Sequence, residues 1–99
     1  MTQLLNDSAV DQALGDVREW RREDDSIVRM AELPSFPAAI EVVDRVAELA
    51  EAADHHPDID IRWRTLTFRL STHFLGGLTE RDFALAKQID EVLAAADQV

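Results

Sequence analysis

Cysteine is absent from the 99 residues, which excludes disulfides, thiolate nucleophiles, iron–sulfur clusters and Cys-ligated zinc. Basic residues are scarce: ten Lys and Arg stand against twenty Asp and Glu, for a net charge of -10. Such a field repels phosphate backbones and anionic headgroups unless cations cluster locally, and here they do not. Direct nucleic-acid binding and membrane-surface binding are therefore not expected. The acidity is uneven, with five basic and thirteen acidic residues up to Asp54, and five and seven beyond it. No stretch approaches the roughly 18 apolar residues of a membrane span. Residues 1–15 lack the basic start and long apolar run of a secretory signal. A cytoplasmic protein is expected.

Glycine and proline occur only three times each, as punctuation between elements and not as a linker, and no internal repeat is present. What the chain does have is ordinary for a globular protein, 46 % hydrophobic and 30 % charged residues. Its length suits one domain spanning residues 1–99, since single domains run to about 100–150 residues. A core this small buries a modest share of its surface, so self-association is expected, as a homodimer or homotetramer.

The apolar spacing predicts an order of elements. Val10, Leu14 and Val17 line one face of a first helix that Asp7 or Ser8 caps, with Gly15 weakening it. Residues 20–23 and 27–33 read as strands around the turn-forming Asp24-Asp25-Ser26. Ser35 as N-cap and Pro37 in the first turn open a long helix to about Ala53. Its expected stripe is Ile40, Val43, Ala47 and Ala50, widened by Val46, Leu49 and Ala53. Ile59, Ile61 and Trp63 then alternate at odd positions and Leu66, Phe68 and Leu70 at even ones. A two-residue turn at Arg64-Thr65 brings both sets to one face, with Trp63 opposite Leu66. Gly76-Gly77 breaks the chain before a last helix, capped by Thr79, with Asp82 at its third position and Leu78 stapled to Phe83. Its buried stripe is Leu85, Ala86, Ile89 and Leu93. The order α-β-β-α-β-β-α implies an α+β fold, a four-stranded antiparallel sheet with three helices on one face.

All three histidines fall at element ends: His55 and His56 after the long helix, where Pro57 forbids its continuation, and His73 after the last strand. Imidazole exchanges protons near neutrality, so a shared pocket of the three suits acid–base work. Ordinary surface or capping duty is the plainer alternative. Three histidines also suit zinc with water as fourth ligand, although neighbouring His55 and His56 point apart in extended chain and no HxH or HExxH spacing exists. Ser71 and Thr72 lack a GxSxG elbow and read as strand-end hydrogen-bonders. Gly76-Gly77 has neither the Lys nor the spacing of a phosphate loop. Trp20 and Trp63 read as core or edge aromatics.

Four segments together resemble the signature of the pterin-4a-carbinolamine dehydratase family. They are Glu51-Ala52-Ala53-Asp54-His55-His56-Pro57, Leu70-Ser71-Thr72-His73, Gly77-Leu78-Thr79-Glu80-Arg81-Asp82, and Leu85-Ala86 with Ile89-Asp90. The resemblance implies the same fold, and dehydration of 4a-hydroxy-tetrahydropterin to quinonoid dihydropterin, which recycles the pterin after an aromatic amino-acid hydroxylase has used it. It implies neither metal nor redox cofactor, since no electrons leave the substrate. On it, His55 and His73 match the acid/base pair and His56 a residue that binds substrate and assists. Glu51, Ser71, Thr72, Asp82 and Trp20 match substrate-pocket positions, where a carboxylate orients an imidazole or accepts a pterin N–H. The alternative is a non-catalytic interaction or assembly protein on the same fold; family members of that kind have lost catalytic histidines, and this chain keeps all three.

Overall fold

The computed structural model describes residues 2–96. The elements follow the expected order: α1 (Asp7–Leu14), β1 (Arg21–Glu23), β2 (Ser26–Glu32), α2 (Phe36–Ala53), β3 (Asp58–Arg62), β4 (Thr65–Leu70) and α3 (Glu80–Ala95). A short 3-10 turn, His73–Leu75, separates β4 from α3. All strand pairs are antiparallel, in the order β1-β2-β4-β3.

The pleat decides which side of the sheet is dry. Ile27 pairs with Leu70 and Ala31 with Leu66, and these four join Phe68 in one cluster with buried side chains of α1, α2 and α3. The helices thus cover one face. The opposite face carries the exposed Met30 and, on β3, Asp58, Asp60 and Arg62. Leu66, Phe68 and Leu70 are inaccessible to solvent, each contributing about 1.5–3 kcal/mol through burial.

Local chemistry sets the helix starts. Ser35 Oγ accepts the Ala38 amide at 3.1 Å, and Pro37 lies in the first turn of α2. α3 begins with a capping box in which Asp82 accepts the Thr79 amide at 2.9 Å. The cap of α1 is Asn6, whose Oδ1 accepts the Ala9 amide, and not Asp7 or Ser8 as the spacing suggested. Gly15 ends that helix, so Val17 is buried from the loop beyond it.

Two further expectations shift. The buried face of α2 is Ala39, Val42, Val46 and Ala50, with Ala47 and Ala53 exposed. The stripe is rotated because α2 packs against both the sheet and α3, and alanines score as apolar on whichever side they fall. The β3–β4 turn is Trp63-Arg64, one residue earlier than Arg64-Thr65, so Arg62 faces Thr65 and Ile61 faces Leu66. Trp63 stands in the left-handed region (φ 56°), 72 % exposed, with the Arg64 guanidinium 4.9 Å from its ring centre. The Arg64 carbonyl meanwhile accepts the Leu33 amide at 2.9 Å, which fixes the turn against the end of β2.

A partly buried polar cluster lies between the sheet and α3. Asp90 of α3 accepts the Trp20 indole N–H at 2.7 Å and pairs with Arg29 of β2. On the other face of the sheet Glu23 of β1 lies between Arg69 and Arg21, which hold its carboxyl below the ordinary value of 4.5.

Replacing Phe68 by Ala should cost about 3–5 kcal/mol, through lost burial and the cavity left behind, read from urea unfolding. A carboxylate whose folded value is lowered stabilises the fold above its unfolded value, and this contribution is lost as pH falls through the folded one. Glu23→Gln should therefore flatten the fall in melting temperature below about pH 4.5; an unchanged acid profile would remove Glu23 as a contributor.

Candidate active site

The last turn of α2 ends in a reversal of the chain. The His55 amide donates to the Ala50 carbonyl at 3.0 Å and the Asp54 amide to that of Glu51 at 3.2 Å, with Asp54 left-handed (φ 50°). This is the double bond pattern of a Schellman cap, in which Asp occupies the position usually given to Gly. It sends the two histidines in different directions. His55 is buried, 7 % exposed, whereas the His56 side chain is largely in solvent.

His55 Nε2 lies 2.6 Å from Asp82 Oδ1, and Asp82 is inaccessible to solvent. The other carboxylate oxygen accepts the Thr72 hydroxyl and the Thr79 amide, each at 2.9 Å. With its proton given to Asp82, Thr72 Oγ1 accepts from the Thr79 hydroxyl at 2.8 Å. Thr79 Oγ1 in turn accepts the Arg81 amide at 3.2 Å. The directions of these bonds follow one another without conflict. An ionised carboxylate only accepts, so in the neutral ring the proton of His55 sits on Nε2 and the lone pair on Nδ1.

The strand pairing brings the rest to the same end of the sheet. Asp58 faces Arg69, so His56 precedes β3 where Ser71 and Thr72 follow β4. A bridge between Thr72 and Gly77 closes the loop that carries His73. His73 itself is exposed, with Nδ1 3.4 Å from Ser71 Oγ. His56 Nε2 meets Glu51 Oε1 at 2.7 Å, both exposed. Ala47, Glu48, Ala50, Glu51, His56 and Pro57 line an open groove of about 460 Å³. A larger hollow of about 540 Å³, between α1 and α3 and lined by Leu5, Phe83 and Lys87 among others, holds no histidine. Of the two, the groove is the one that carries an imidazole, that of His56.

Of the residues singled out in the sequence, His55, Thr72 and Asp82 thus form one network, His56 pairs with Glu51, and Ser71 touches His73. Asp82 and Thr72 are buried with their side-chain oxygens engaged by the protein, Asp82 directly against His55 and Thr72 against Asp82. Trp20 stands apart in the core, bound to Asp90. Two further participants, Thr79 and Arg81, receive no site role from the sequence: Thr79 reads as a helix cap, and both lie within the segment Gly77 to Asp82 that carries part of the family resemblance. Among the described residues, no group of three His, Asp or Glu side chains is disposed to hold a metal ion. None of the helices is long and apolar enough to cross a membrane, among the same residues.

The model of the family described as pterin 4 alpha carbinolamine dehydratase matches residues 3–92. The chain belongs to this family. A protein of Nocardia farcinica named "Putative pterin-4-alpha-carbinolamine dehydratase" is 62% identical over 91 residues, 92% of this chain and 96% of that protein. The crystal structure of a transcriptional coactivator/pterin dehydratase from Brucella melitensis is similar with a TM-score of 0.89 at 27% identity, over 92% of this chain and 99% of that one. A pterin dehydratase-like protein identified as a RuBisCO assembly factor in the alpha-carboxysome shares the fold at a TM-score of 0.62 and 20% identity, over 75% and 86% of the two chains. The enzyme class of the family is that expected from the sequence, a hydro-lyase.

Asp82→Asn should preserve the shape but offer His55 an amide, disturbing the Nε2–H tautomer. Ring ¹⁵N shifts of His55 should show one protonated Nε2 in the parent and a changed pattern in the variant. Identical shifts would mean that Asp82 does not set the proton.

Proposed function

We propose that this chain, as one dehydratase domain over residues 1–99, removes water from 4a-hydroxy-tetrahydropterin by acid–base catalysis at His55 and His73. One observation carries the reading: the buried Asp82 carboxylate bonds both His55 and Thr72, the residue directly before His73. One carboxylate thus contacts His55 directly and holds the residue that precedes His73, 18 positions further along the sequence.

The reaction needs two proton transfers and no change of oxidation state. The C4a–O bond breaks as its oxygen gains a proton and leaves as water; the N5–H proton passes to a base, and its electron pair forms the N5–C4a double bond of the quinonoid product. His55, with Nε2–H committed to Asp82, offers Nδ1 as the accepting atom and is assigned the base. His73, exposed and only weakly tied to Ser71, is assigned the acid. His56 and Glu51, on the groove wall, bind the substrate and assist. Ser71 borders the same end of the sheet, while Thr72 and Asp82 support the pocket by holding His55. Trp20 contributes through its hold on Asp90, beneath the sheet. No metal or redox cofactor has a step to perform in this scheme.

Small size and exposed Phe36, Met30, Ile61 and Trp63 favour a homodimer or homotetramer. A cytoplasmic setting, beside an aromatic amino-acid hydroxylase that generates the carbinolamine, suits the chemistry. The alternative of a non-catalytic assembly protein has the fold of the carboxysome factor in its favour.

Stopped-flow absorbance of enzymatically generated 4a-hydroxy-tetrahydropterin separates the two. The pure protein should speed its decay, and His55→Ala or His73→Ala should slow that turnover about 10²- to 10⁴-fold, the usual share of a positioned acid or base. Decay at the spontaneous rate with the parent protein would refute the enzyme reading, and full activity in both variants would refute the roles.

A further inference from the structure

The turn that aims His55 is secured from a different helix. Its Schellman bonds use the amides of Asp54 and His55, leaving the Ala53 and Asp54 carbonyls at the end of α2. Both are taken by one guanidinium nitrogen of Arg81, at 2.7 and 2.9 Å. The last turn of α2 contains no basic residue of its own. Arg81, in the first turn of α3, is thus the cation at the negative end of the α2 dipole. Asp54 holds a left-handed conformation that L-residues other than Gly enter at a cost, and the guanidinium binds the carbonyls on both sides of it. Arg81 is also the immediate neighbour of Asp82. Adjacent residues of α3 therefore grip adjacent parts of the same turn: Arg81 the carbonyls of 53 and 54, Asp82 the ring of His55.

We infer that Arg81 is a positioning residue of the dehydratase, clamping the C-terminal turn of α2 so that the His55 ring meets Asp82 in a single orientation. The inference rests on the reading of His55 as the base. The backbone amide of Arg81 already joins the hydroxyl chain through Thr79, so the clamp and the proton-orienting network share one helical turn.

Arg81→Ala should lower kcat about 10- to 100-fold, the order expected when a reacting group is displaced by about 1 Å, with KM changed less. The His55 ring ¹⁵N pattern should lose its single Nε2–H form. Added guanidinium ion at millimolar concentration should restore part of kcat, whereas sodium chloride of equal ionic strength should not. Arg81→Lys, which retains charge and a donor, should fall between Ala and the parent, and it carries the same measurements if the Ala variant does not fold.

An unchanged kcat with an unchanged His55 ring pattern would overturn the role of Arg81, as would a lowered melting temperature with kcat intact or a rise in KM alone. His55→Ala, assayed in parallel, separates the two levels. Its inactivity beside a fully active Arg81 variant leaves the base assignment standing, while its full activity removes the assignment beneath.

Discussion

A carboxylate without solvent access is the constraint around which this molecule is organised. Removing an ion from water costs several kcal/mol even after relaxation, so Asp82 is tolerable only with its acceptors filled. Three donors fill them, from three separate parts of the chain: the ring of His55 after α2, the hydroxyl of Thr72 after β4 and the amide of Thr79 at the start of α3. Withdrawal of any one leaves charge unmatched in a dry place. The end of the long helix, the end of the central strand and the start of the last helix are therefore bound to converge, and the candidate site forms at that convergence.

Helix electrostatics run the same way. The N-terminal turn of α3 carries Glu80 and Asp82 at its positive end, and sends Arg81 to the negative end of α2. Each terminus thus meets charge of the favourable sign. The sheet contributes rigidity: β4 is central, paired on both sides, and its apolar row Leu66, Phe68 and Leu70 is sealed beneath the helices. What emerges from its end, Ser71 to His73, starts from a fixed place. Under the sheet Asp90 ties α3 to β2 and to Trp20, so the helix that presents Asp82 is held at a second point along its length.

The fold was legible where the signal was local. Ser35 with Pro37, and Thr79 with Asp82, mark helix starts because caps are built from residues three apart. The two alternating runs, Ile59 to Trp63 and Leu66 to Leu70, announced a hairpin. They did not identify its turn, since Trp63 looked like a strand residue and adopts instead a left-handed turn conformation, held where the Arg64 carbonyl meets Leu33. The α2 stripe was misjudged for a similar reason: composition marks alanine as apolar, but the neighbours decide which alanines are covered. Within the site, three histidines at element ends and the family signature were readable, and the orientation of their rings was not.

From its order of residues alone, this chain specifies an acidic α+β domain with imidazoles at the ends of its elements, because caps, proline and apolar alternation act over a few neighbouring positions. Partners that must be found across space were decided only on folding: His55 reaches Asp82 over 27 residues, Arg81 the Ala53 carbonyl over 28, and Trp20 Asp90 over 70. Over such separations a donor has many candidate acceptors. Packing of α2 and α3 on one face of the sheet brings one or two of these within reach, and burial of a carboxylate such as Asp82 makes leaving it unpaired costly.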